Sequence, residues 1–110
     1  MKIYNKKDFL KLPPGTFFSK GVQWSMDGFC IKGESLGDID FFYLSLFDIE
    51  AYDSGELVDR QYEMLEKGSS YPINQYEMRD GCFDDNDIFL VFEKEDLKRI
   101  KELIEITINL

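Results

Sequence analysis

The sequence predicts an α+β domain, a mostly antiparallel sheet of about four or five strands with about three helices packed against it. Three observations predict it. Apolar residues fill strand-length runs at 39–47 and 88–92. They recur at helical spacing over 53–67 and from 94 onward. Gly, Pro, Asp and Asn punctuate the intervals between these segments. The 110 residues are the size of one domain, and no repeat or linker divides them, so residues 1–110 are read as a single unit. An apolar content of 44%, with 10 Phe and 6 Tyr, supplies enough core material despite the charge.

The elements run α, β, β, β, α, β, β, α. Asn5 is placed as a helix N-cap with Asp8 in the first turn, and Phe9, Leu10 and Leu12 face the core. Pro13 and Pro14 end that helix and Gly15 turns the chain. Residues 16–20 form a short strand, 21–28 a connection carrying the single tryptophan, Trp24, and 29–34 a second strand folded back on the first. A turn at 33–38 leads to 39–47. Both faces of that strand are mostly apolar, as expected of a central strand covered on both sides.

Asp53 and Glu56 have capping-box spacing, so a helix runs to about Lys67 and is ended by Gly68. Leu57, Val58, Gln61, Tyr62, Met64 and Leu65 share one side of it. A loop over 69–74, an edge strand over 75–79 and an acidic turn over 80–87 precede the buried strand 88–92. A last helix starts at Lys94, with Leu97, Ile100, Leu103 and Ile104 as its buried stripe. The alternation Ile106-Thr107-Ile108-Asn109-Leu110 fits either a frayed helix end or a short terminal strand.

Composition excludes several kinds of chemistry. The chain has no histidine, hence no Ser-His-Asp or Cys-His catalytic arrangement and none of the commonest metal ligand. Cys82 sits among Asp80, Asp84, Asp85 and Asp87, whose charge discourages a thiolate. With two cysteines only, Cys30 and Cys82 read as reduced thiols of a cytoplasmic protein. The acidic turn lacks the alternating ligands and closing Glu of a calcium loop, and its Asp residues read as turn formers. A metal-assisted hydrolase built on that turn therefore ranks last of the readings, and no catalytic residue, metal site or cofactor is assigned. No glycine-rich phosphate motif occurs. A net charge of −9 disfavours direct contact with nucleic acid or an anionic membrane. No segment is long and apolar enough to span a bilayer, and no apolar run follows the basic N-terminus to make a signal peptide.

The most ordered charge feature is the line Glu56, Asp59, Glu63 and Glu66, spaced along one side of a helix. Between Asp38 and Glu66 there are nine acids and one base, Arg60. An ordinary solvated helix face mixes both signs. The first functional reading is thus a non-enzymatic binding module that offers these four acids to a basic protein partner. The alternative is a pocket that sequesters a small molecule such as a nucleotide signal. Trp24 would stack on the ligand, and Lys32 and Arg79, with Lys20, would have to converge to hold its charge. Homo-oligomers remain compatible with both readings.

A resemblance adds to this. Asp8-Phe9-Leu10-Lys11-Leu12-Pro13-Pro14-Gly15-Thr16-Phe17-Phe18 and Phe29-Cys30-Ile31-Lys32-Gly33-Glu34 resemble a group of small proteins encoded by phages and prophages. So do Arg79-Asp80-Gly81-Cys82-Phe83-Asp84-Asp85, Phe89-Leu90-Val91-Phe92-Glu93 and Asp96-Leu97. The likeness covers about two thirds of the chain and carries no functional residues. It implies an accessory product in the host cytoplasm, of the kind that binds a host-defence or nucleic-acid-handling protein.

Overall fold

The computed structural model describes residues 1–22, 25–81 and 84–110. Six strands and three helices follow one another as β1 (Lys2–Asn5), α1 (Lys6–Phe9), β2 (Phe17–Val22), β3 (Ser25–Leu36), β4 (Asp40–Ile49), α2 (Ser54–Lys67), β5 (Ile73–Arg79), β6 (Ile88–Val91) and α3 (Lys94–Ile108). The strands make one antiparallel sheet in the order β1-β6-β2-β3-β4-β5. The fold is therefore α+β, as predicted, with six strands where four or five are expected. The additional strand is β1, which pairs Lys2 through Asn5 against Val91 through Ile88.

Asn5 ends β1 and caps α1, its Oδ1 accepting from the Asp8 amide at 2.8 Å. The helix is only four residues long. Its function in the fold is to carry Phe9 into the hollow of the curled sheet. Phe9 is fully buried, as are Phe41 and Phe89, and Phe18 is nearly so. The Phe9 ring stacks on Phe89 with centroids 4.0 Å apart, and meets Phe18 at 4.8 Å and Phe41 at 5.1 Å edge to face. Leu10 and Val91 complete the cluster, with Tyr4, Leu12, Cys30 and Tyr43 around it.

Lys32 is buried beside this cluster at 2% exposure. Its Nζ donates to the Gly33 carbonyl at 3.0 Å and to Ser35 Oγ at 2.8 Å. Ser35 in turn donates to the Leu10 carbonyl at 2.7 Å, so a polar chain staples α1 to β3. Burial pushes the Lys32 ammonium down from the ordinary lysine range, against the charge of Glu34.

Residues 21–22 and 25–28, expected as a connection, are strand. Val22 pairs with Ser25 and Gly21 with Met26, so both strands run deeper into the segment than predicted. Gly21 permits this, because a Cβ there would lie 1.7 Å from the Ser25 carbonyl oxygen. On β4 a register shift falls between Ser45 and Asp48, which breaks the alternation. Phe47 then joins Phe29, Phe17 and Phe92 in a second aromatic group, separate from the Phe9 cluster. Phe47 is exposed and the other three are half-buried, so β4 is not covered on both sides.

The larger departure concerns the long helices. Neither α2 nor α3 contains a buried residue. Of the predicted α3 stripe, Leu97 and Ile100 are half-buried while Leu103 and Ile104 are exposed. The helix continues to Ile108, which settles the ambiguous C-terminal alternation as helix. The radius of gyration is 16.1 Å, against about 13 Å for a compact chain of this length.

Because one aromatic plug fills the sheet, its removal should be severe. Phe9→Ala is expected to cost about 3–5 kcal/mol, read as a lowered urea midpoint at unchanged m-value. Gly21→Ala should destabilise by the same measure, with strand pairing at the hairpin weakened.

Candidate interaction surface

Ile49 and Ile73 are paired, so residues 50–72 leave and re-enter the sheet at one point of its edge. The helix α2 lies within that excursion and has no extensive packing on any strand. Its ends follow the predicted signals. Asp53 accepts from the Glu56 amide at 2.8 Å, and Gly68 closes the helix in the left-handed region at φ 67°. The Glu56 side chain does not complete the capping box but pairs with Arg60.

The expected apolar face splits in two. Leu57 and Met64 are half-buried, on the side of the helix that also carries Arg60 and Glu63. Val58, Tyr62 and Leu65 stand 61%, 61% and 80% exposed. Periodicity identified the apolar residues correctly, but an amphipathic pattern does not say whether its own chain covers it.

The four acids divide in the same way. Glu56 is tied to Arg60, and Glu63 accepts from the Tyr71 hydroxyl at 2.6 Å. The Arg60 guanidinium also lies over the Tyr71 ring, 5.3 Å from its centroid. Glu63, followed by burial, raises the Tyr71 hydroxyl above the ordinary tyrosine range. Asp59 and Glu66 are exposed, and among the described residues neither is ion-paired. By helical spacing they border the Val58, Tyr62 and Leu65 stripe. The outward side of α2 is thus an apolar strip with an acidic edge.

The residues suggested for a ligand pocket do not converge. Lys32 is committed to Gly33 and Ser35 beneath the aromatic core. Arg79 pairs through Nε with Asp40 Oδ2 at 3.1 Å. A cleft of 260 Å³ lined by Phe18, Lys20, Cys30, Tyr43, Ser45 and Asp80 includes neither of them. Trp24 lies outside the described residues, as does Cys82. The Cys30 thiol is raised by burial and then by Asp48, with Lys20 opposing.

Lys20 belongs to an ion network that sequence reading did not find. Its ammonium binds Asp80 and reaches Asp87 Oδ2 at 3.4 Å, while Lys6 approaches Asp80 Oδ2 at 3.8 Å. Both of those Oδ2 atoms are buried, and lysine ammonium groups are the charges that face them. Burial opposes the Lys20 ammonium, but Asp80 and then Asp87 outweigh it and hold its pKa above the ordinary value. Asp80 and Asp87, taken in the sequence as turn residues, therefore face inward to lysines. Asp84 accepts from the Asn86 amide at 2.9 Å, as a turn former does. The signal available in the sequence was period two, which sets Lys20 on the same face as Phe18.

No described group of His, Cys, Asp or Glu has the arrangement to hold a metal ion. Among the described residues no helix is long and apolar enough to cross a membrane. Comparisons with family models, curated proteins and solved structures match none of them.

The network has a pH signature. Burial alone would raise the Asp40 carboxyl, but amide hydrogen bonds from Gly81 and Phe41, then Arg79 and Lys6, hold it below the usual carboxylate range. A carboxylate depressed in the folded state stabilises above its unfolded pKa of about 4, and that stability is lost as pH falls through the folded value. Asp40→Asn should therefore lower the melting temperature at neutral pH. It should also flatten the acid limb of a melting-temperature profile relative to wild type.

Proposed function

We propose that the protein is a non-enzymatic binding module that docks the outward side of α2 on a basic surface of another protein. One observation carries this reading. The helix exposes Val58, Tyr62 and Leu65 beside Asp59 and Glu66, which among the described residues are not ion-paired, on an excursion from the sheet edge. Exposed apolar residues bordered by charge are the anatomy of a docking surface, in which a tyrosine supplies contact energy. The carboxylates would supply steering and orientation. Glu56 and Glu63 would act differently from the other two acids, by fixing Arg60 and Tyr71 and so the stance of the helix.

The overall charge of −9 favours a basic partner over nucleic acid or an anionic membrane. The resemblance to phage and prophage products supports the rest of the reading: an accessory protein in the cytoplasm of a bacterial host, bound to a nucleic-acid-handling or defence protein.

The test is capture from bacterial lysate with immobilised protein, followed by identification of the retained chain. A basic protein should be retained at low salt and released as ionic strength rises, because exposed charges are screened over about 10 Å at 0.1 M. Asp59→Lys combined with Glu66→Lys, and separately Tyr62→Ala, should each abolish capture without changing the far-UV circular dichroism. Retention of the same partner by both variants would overturn the assignment of α2.

A further inference from the structure

We propose that the exposed apolar face of α3 is the contact surface for a second copy of this chain, in a two-fold dimer. The face is formed by Ile100, Leu103, Ile104, Thr107 and Ile108, which make one shallow, mostly apolar patch along one side of the helix. Leu103, Ile104 and Ile108 are 46%, 54% and 73% exposed. Every residue from Lys101 to the C-terminus is exposed, so this half of the helix projects from the body as an arm. The base of the arm is fixed: the Met1 ammonium bridges Glu93 at 3.2 Å and Asp96 at 2.8 Å.

Area argues for an occupant of substantial size. The chain exposes 8094 Å² at a mass of 13.0 kDa. A compact monomer of that mass exposes about 6,300 Å², so the excess is about 1,800 Å². A stable interface buries roughly 800 Å² from each partner. The excess is thus large enough to accommodate a self-association surface on α3 in addition to the smaller acidic strip on α2.

Charge identifies the occupant. Helix α3 carries four bases (Lys94, Lys98, Arg99, Lys101) and four acids (Glu95, Asp96, Glu102, Glu105), a balance of zero. The whole chain carries −9, so all of its net charge lies outside this helix. Two copies repel one another over most of their surfaces, and α3 is where they can approach without that cost. A helix of balanced total charge does not select a strongly basic or acidic foreign protein. It does suit an isologous contact, in which the same patch serves both sides. This surface is separate from the α2 strip and leaves it free.

The experiment is sedimentation equilibrium of the full chain, with Leu103→Glu and Ile108→Glu as variants. Both side chains are exposed in the monomer, and circular dichroism verifies that the fold survives. Wild type should show twice the chain mass with a dissociation constant below about 10 μM, and each variant should weaken association at least tenfold. Raising salt should tighten the wild-type dimer, since screening reduces repulsion between like-charged bodies while leaving apolar burial intact. Partner capture through α2 responds to salt in the opposite sense, so the two proposals fail separately. A wild-type monomer at every loading concentration would overturn the dimer. So would a dimer that both variants leave intact, an assembly larger than two, or a monomer that instead co-sediments with phosphatidylcholine vesicles.

Discussion

The contact on which the rest depends is the ring of Phe9 lying in the hollow of the sheet. A sheet closes a core only if something covers its concave face. Here the cover is one side chain on a four-residue helix, backed by Leu10 and Leu12. Phe9 touches Phe18 on β2, Phe41 on β4 and Phe89 on β6, so one ring reads three strands that are distant in sequence. The curl of the sheet and the position of α1 are one constraint seen from two sides. The burial of Lys32 follows from it: the lysine stem packs under the plug, and the ammonium, 5.9 Å from the Phe9 ring centroid, is left to Gly33 and Ser35.

Polar groups at the other margin of the core complete what the small plug leaves open. Asp40 collects two amide hydrogen bonds and Arg79, and Asp80 and Asp87 collect Lys20 and Lys6. These pairs tie α1, β2, β4 and the segment after β5 into one unit. Buried pairs are weak evidence for net stability, since desolvation offsets much of the attraction. They do penalise other registers, because any slip strands a buried charge. The acidic turn that looks in sequence like surface decoration is therefore partly internal structure.

How much of this was legible follows from the range of each signal. Caps are local, and Asn5, Asp53 and Gly68 do what their residue types require. Strand-length apolar runs are also local, and they placed β4 and β6. Residues 2–5 escaped because a basic four-residue strand on a sheet edge has neither length nor apolar pattern to mark it. The strand residues at 21–22 and 25–28 escaped because glycine reads as a turn, whereas Gly21 is there for the close approach of Ser25. The acidic stripe was legible as spacing but not as four different environments, since Arg60 and Tyr71 draw two of the acids inward.

The two long helices show where local reading stops. Amphipathic spacing states that a face avoids water; it is silent on whether the cover is the same chain, another copy or another protein. In α1 and the strands the cover is intramolecular, and the apolar residues are buried. In α2 and α3 it is only partial, and the chain exposes far more surface than its mass requires. The two helices differ in charge in a way that the apolar residues do not: acidic along the outward strip of α2, balanced over α3 as a whole. Apolar area supplies the drive to associate in both cases, while the sign of the rim sets which surface can approach. A chain with its whole net charge outside one helix has separated those two tasks along its length.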